Sequence, residues 1–157
     1  MTHPGPRPDP AAYALEVVGE RWTLLVVREL MHGTHRFDAL KAATGAPRDQ
    51  LSARLKTLVG AGLVRRVPYS ERPLRHEYHL TDSGLALRPI LLLLRAWGAE
   101  HVLAGAVSPV VSTHTCGAVF TPVVACSYCG EPESGDGLEH RWADPAWQSA
   151  ATGHAGA

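Results

Sequence analysis

The run GAPRDQLSARLKTLVGAGLVRRVPYSERPLRHEYHL, Gly45–Leu80, decides the fold. It starts on the turn Gly45-Ala46-Pro47, and Pro47 suits a first helical position because its fixed φ is already helical and no N–H is needed there. Leu51, Leu55, Leu58 and Val59 follow at i, i+4, i+7 and i+8, the spacing of one helical face, over a helix that runs to about Val59. Gly60-Ala61-Gly62 stops that helix. Two short strands are predicted next, Leu63–Tyr69 and Arg75–Leu80, around the turn Ser70-Glu71-Arg72-Pro73-Leu74.

Working outward, Thr34 is placed to N-cap a helix over Arg36–Thr44, with Phe37 and Leu40 inward. That helix and the next, joined by a tight Gly-containing turn, form a helix-turn-helix, and the hairpin behind them makes it a winged one. Trp22–Met31 is apolar nearly all round and should be a buried helix. Ala11–Gly19 places Ala11, Leu15 and Val18 on one helical face. Thr81 caps a long helix from Asp82 to about Leu103, which Pro89 either kinks or restarts. The fold class is mainly α with a small β-hairpin wing, a winged helix-turn-helix with a small irregular C-terminal appendage. Residues 1–10, with four prolines, are expected to be a flexible arm. Residues 11–104 form the winged domain, and 105–157 a Cys-containing acidic tail with a disordered end.

A chain of 157 residues with 45% apolar content is a globular domain with room for an appendage, not a disordered protein. Its formal net charge is zero, which as a total argues against a nucleic-acid binder. The total hides a division. Residues 21–75 hold 11 basic and 4 acidic side chains, whereas residues 104–157 hold 1 and 5. A basic body with an acidic tail points back to a nucleic-acid partner. The longest apolar run, Ile90–Leu94, is far short of the roughly 20 residues that span a bilayer, and the proline-rich start is no signal peptide, so a cytoplasmic protein without membrane contact is expected.

On the helix after Pro47, the core leucines leave Asp49, Gln50, Ala53, Lys56 and Thr57 outward, with Arg48 and Arg54 on the flanks. Gln50 carries a donor and an acceptor and suits adenine. Arg48 or Arg54 suits guanine or a phosphate, and Lys56 a phosphate. The wing offers Arg72 at its tip, flanked by Arg65, Arg66 and Arg75, and an arginine there fits the negative potential of a minor groove. Arg36 completes the DNA-contact candidates. Any one of these residues could equally be a solvated surface charge; the constellation carries the weight.

The residues as they stand resemble a known family. Ala14-Leu15-Glu16-Val17-Val18-Gly19-Glu20-Arg21-Trp22-Thr23-Leu24-Leu25 is similar to the opening of HxlR-type winged helix-turn-helix regulators. Arg36-Phe37-Asp38-Ala39-Leu40 resembles that family's RFxxL segment. Leu51–Leu58, Ala61–Val64 and Pro73–Gly84 resemble its later blocks, so the likeness covers roughly residues 9–103. It implies a dimeric, cytoplasmic regulator, most often a repressor, on a pseudo-palindromic operator of double-stranded DNA. It also implies a homodimer built from the first and last helices, here around Leu15, Val18, Leu91, Leu94 and Trp97. Some of these must instead be core. Aligning on Leu15 places Asp9, followed by Pro10, where many members carry a sensing cysteine. Aspartate has no thiol, so this chain lacks that route to oxidant sensing.

Three cysteines, an odd number, fall within Cys116–Cys129, which excludes a disulfide framework. Cys126-x-x-Cys129-Gly130 has the shape of a zinc knuckle; Cys116 offers a third ligand and His114 a fourth, with His140 competing. Closed Cys₃His coordination would make zinc a structural cofactor. Redox pairing of Cys126 with Cys129 and inert thiols are the alternatives. The tail supplies no paired acid and base for catalysis, so an enzyme is not expected. The rival to a DNA-binding regulator is a protein-interaction or metal- or redox-sensing module whose winged domain mainly dimerises. Apolar side chains from Ile90 to Trp97 either fill the core or line a pocket for an unidentified small-molecule effector.

Overall fold

A computed structural model describes residues 9–103, 110–133, 135 and 137–139. The expected arm before Asp9, the end of the tail and His140 lie outside the described residues. The order is α1 (Pro10–Val18), α2 (Thr23–Met31), α3 (Phe37–Thr44), α4 (Arg48–Gly60), β1 (Val64–Glu71), β2 (Leu74–Leu80), α5 (Asp82–Leu85) and α6 (Arg88–His101). It is a winged helix fold, mainly helical with one antiparallel hairpin.

The core is one cluster: Val26, Val27 and Leu30 of α2, Leu40 of α3, Ala46 of the turn, Leu51, Leu55 and Leu58 of α4, and Val64 of β1. Leu51, Leu55 and Leu58 are positions that the helical spacing of α4 marks as inward, whereas Val59, also expected inward, is half-buried against the cluster. In contrast, α1 and α6 have no fully buried residue. Asp9 N-caps α1 by accepting from the Ala11 N–H at 2.8 Å.

The α3–α4 turn rests on Gly45 in the left-handed region (φ 71°), with Thr44 Oγ1 donating to the Leu40 carbonyl and accepting from the Ala46 N–H. Two helix starts differ from expectation. Pro47 is the residue before α4 rather than its first helical position. Thr34 does not cap α3; Arg36 precedes it, without a side-chain cap. Here the backbone is engaged elsewhere, because the Tyr78 N–H donates to the His35 carbonyl at 2.9 Å and Arg36 bridges Glu77. Residues 35–36 thus lie against β2 through an isolated bridge, and the helix begins only after it.

The wing turn is also shorter than expected. Ser70 pairs with Arg75 and Glu71 with Leu74, leaving Arg72-Pro73 as the turn, while Tyr69 is the extra residue of a bulge. Pro89 restarts rather than kinks: α5 ends at Leu85 and α6 begins at Arg88 with Pro89 in its first turn.

The hairpin is locked to α4 and α5 at one joint. Gly62 (φ 71°) lets the Leu63 N–H reach back to the Leu58 carbonyl at 3.0 Å. Thr81 Oγ1 donates to the Gly62 carbonyl at 2.7 Å and accepts from the Gly84 N–H. Gly84 is buried, and a Cβ there would overlap the Leu63 carbonyl oxygen. Replacing Gly84 by Ala should therefore destabilise the domain by about 1–3 kcal/mol, as overpacking does. A urea unfolding midpoint equal to that of the wild type would show that the joint yields without cost.

Candidate nucleic-acid interface

Burial of Leu51, Leu55 and Leu58 turns the rest of α4 outward. Arg48, Asp49, Gln50, Ser52, Ala53 and Lys56 are all exposed. Arg48, in the first turn, has its guanidinium 5.1 Å from the Phe37 ring centre, which seats it against α3. Two side chains depart from the expected arrangement. Thr57 is half-buried and its hydroxyl donates to the Ala53 carbonyl at 3.1 Å. Ser52 takes the outward place instead. It lines, with Lys56, Arg66 and Tyr78, a groove of about 310 Å³ at the foot of the wing. Helix α4 and the wing therefore share one surface.

Arg54 is the second departure. Its side chain is only 19% exposed and faces Glu20 at 3.8 Å, and its Nε is buried without a hydrogen-bond partner. At 100° per residue, position 54 lies within about 70° of the direction of the three leucines, so the helix carries it toward the body.

Arg36 is also committed internally. Its Nε donates to Glu77 Oε1 at 3.0 Å, and its guanidinium lies 4.5 Å from the Tyr69 ring centre. The Arg36 hydrogen bond holds the Glu77 carboxyl below the ordinary carboxylate range, with His79 assisting. His79 in turn stacks on His35 at 4.2 Å, and His35 Nδ1 meets the Tyr78 carbonyl at 2.9 Å. This cluster braces the wing against the start of α3. The bridge between Arg36 and Glu77 brings the His35 and His79 rings together, a contact that their sequence spacing does not show. Arg72 and Arg75, at the wing turn, are exposed, as are Arg65 and Arg66.

Of the residues expected to build a dimer, Leu15, Leu94 and Trp97 are 63%, 49% and 56% exposed, large apolar side chains left open to solvent among the described residues. Val18 is half-buried, and Leu91 packs against the core, so Leu91 serves the body of its own chain.

The tail forms two tight turns. In the first, Thr113 bridges Val119, Gly117 takes φ 90°, and His114 Nδ1 lies 3.2 Å from Cys116 Sγ. In the second, Ala125 bridges Pro132, the Gly130 N–H donates to the Cys126 carbonyl, and Gly130 takes φ 77°. The backbone N–H groups of Cys129 and Tyr128 point at the Cys126 sulfur and, with the Cys129 thiol, push the Cys126 thiol below its usual range. Each turn thus presents one pair of donors suited to a soft cation. The pairs stay separate: among the described residues no three His, Cys, Asp or Glu side chains converge on one point. Ser112, just before the first turn, accepts from Arg95 Nη2 at 3.1 Å and so ties the tail to α6.

A helix-turn-helix with an outward polar helix and a basic wing defines the class, a winged helix-turn-helix regulator of transcription. The profile of the HxlR-like helix-turn-helix family matches residues 17–105, and the chain belongs to that family. It is 44% identical over 139 residues to the HTH-type transcriptional regulator Mb3122 of Mycobacterium bovis, across 83% of this chain and 88% of that one. Among solved structures, the transcription-factor candidate PA1607 superposes with a TM-score of 0.77 at 31% identity, over 87% of this chain and 96% of that one. PA1374 from Pseudomonas aeruginosa, solved under the same description, gives 0.62 at 34% identity, over 88% and 94%. The chain is a transcriptional regulator, not an enzyme. No helix among the described residues is long and apolar enough to cross a membrane.

The Arg36–Glu77 pair has a defined pH signature. Because the folded-state pKa of Glu77 is lowered, its contribution is complete above the ordinary carboxylate pKa and is lost as pH falls through the lowered one. Glu77→Gln should therefore be less stable than wild type at neutral pH, and the two urea midpoints should converge in acid. Parallel curves down to low pH would show that the pair contributes nothing.

Proposed function

We propose that this regulator is a dimeric repressor that sets two copies of α4 into successive major grooves of a pseudo-palindromic operator. The observation that carries this reading is the shared surface of α4 and wing, where Lys56 and Arg66 line one groove and Arg48, Arg72 and Arg75 are exposed. Gln50 and Ala53 are the base-facing side chains on that surface. Arg48, Lys56, Arg72 and Arg75 are the phosphate and groove contacts. Arg36 and Arg54 act as struts that hold the wing and the helix, since both already face carboxylates. The exposed stripe Ile90, Leu94 and Trp97, at i, i+4 and i+7 on α6, with Leu15 on α1, supports dimerisation through those helices. The regulator works in the cytoplasm, where its operator is.

Binding to a duplex of the gene's own promoter should fall steeply with salt as phosphate contacts release counterions. Lys56→Ala should lower the log–log salt slope by about 1. Arg54→Ala should leave the slope alone and lower the folding midpoint instead. Equal binding to random duplex removes the operator reading, and a slope change in the Arg54 variant returns that residue to the interface.

We also propose that the tail takes one structural zinc, with Cys126 and Cys129 as one half of the site and His114 and Cys116 as the other. The support is the two prepared donor pairs, and closure would draw them together. Purified full-length protein should then contain about one zinc per chain. In Cys129→Ser the tail should become protease-sensitive. Metal-free wild-type protein, or an equally resistant tail in the variant, removes the zinc site.

A further inference from the structure

A cavity of about 400 Å³ opens between α2 and α6, beside the start of the tail. Leu25 and Met31 of α2 and Leu91, Leu92 and Leu94 of α6 give it apolar walls. Its polar lining is cationic: Arg28, Arg88 and Arg95, with His32 and Ser112, and no carboxylate among the described residues. Glu29 neutralises Arg28 at 2.7 Å. Neither Arg88 nor Arg95 has a carboxylate partner among the described residues. Arg95 is half-covered, and its Nη2 donates to the neutral Ser112 hydroxyl. A partly desolvated guanidinium on an apolar wall is electrostatically incomplete, and an anion completes it. The volume is that of a small-ligand site.

We propose that this cavity is an effector site for an amphipathic organic anion, its carboxylate held by Arg88 and Arg95 and its apolar body lying against Leu25, Met31 and Leu92. The site stands at a mechanical joint. The other face of α2, Val26, Val27 and Leu30, is fixed in the core with α4, whereas α6 carries the exposed stripe assigned to the dimer. An occupant between α2 and α6 alters how the reading helix sits relative to the partner copy. Ligand and operator then change each other's affinity by the same factor. This regulatory part rests on the reading of the chain as a dimeric DNA-binding protein; the site itself does not.

The test titrates the full chain, without DNA and at fixed ionic strength, with octanoate and 2-naphthoate, and with octanamide and 2-naphthamide as uncharged matches. The acids should saturate the protein and bind about tenfold or more tightly than the amides, the discrimination expected of hydrogen bonds to charged groups. Arg88→Gln and Arg95→Gln should each weaken the acids and leave the amides unchanged. Arg88 is exposed, so its variant keeps the test valid even if Arg95→Gln disturbs folding. Equal binding of acid and amide, or variants that bind the acids as well as wild type, overturns the proposal. Absence of saturable binding by every probe also overturns it. Operator affinity is measured separately on probe-free protein, so failure of the DNA reading is seen on its own. An acid that saturates the protein without changing operator affinity overturns the regulatory part alone.

Discussion

The rest of the molecule depends on the burial of three leucines on α4. Leu51, Leu55 and Leu58 are 0–2% exposed and meet Val26, Val27, Leu30 and Leu40 in one cluster. Each is worth about 1.5–3 kcal/mol relative to exposure, an upper bound because the unfolded chain is already partly collapsed. A turn of α4 by one residue, about 100°, would lift a leucine into water and drive a polar side chain into the core. The rotation of the helix is therefore fixed from inside. The outward display of Gln50, Ala53 and Lys56 is its consequence, and no contact with DNA is needed to set it.

The wing is held by different means, mostly backbone. Residues 35–36 add to the free edge of β2, and Gly62, Thr81 and Gly84 close the other end of the hairpin on α4 and α5. Around these bonds the polar side chains act as braces: Arg36 on Glu77 and Tyr69, and His35 on His79. The two basic elements keep a set spacing because neutral backbone groups and internal ion pairs hold them. Their free charges then remain available for a partner.

The sequence made the fold legible because the deciding contacts are local and periodic. The leucine spacing of α4, the apolar run of α2, and the glycines at 45 and 62 each act within a few residues. Errors arise where a distant segment decides. Thr34 looks like a cap until β2 takes the backbone at 35–36. Arg54 looks like a flank residue open to a partner until Glu20, far off in sequence, is seen to face it, although the helical angle alone already turns it inward. Leu91 and Leu94 are indistinguishable in composition, and only packing separates a core residue from an exposed one. The tail shows the same limit: spacing identifies each donor pair, and nothing local says whether the pairs meet.

The charge pattern gains meaning from these assignments. The basic surplus of residues 21–75 does not lie uniformly on the surface, since Arg28, Arg36 and Arg54 face carboxylates within the chain. With those pairs subtracted and Arg21 and Lys41 set aside, the cations of residues 21–95 fall in two places. One is the α4–wing surface, where they are exposed and suited to the dense, mobile charge of a phosphate backbone. The other is the α2–α6 cavity, where Arg88 and Arg95 border an apolar space too small for a duplex and matched to a small anion. The same residue type thus divides into internally paired, exposed and cavity-lining side chains according to its neighbours. Arginine identity gives only the charge; the partner within hydrogen-bond reach, or its absence, gives the role.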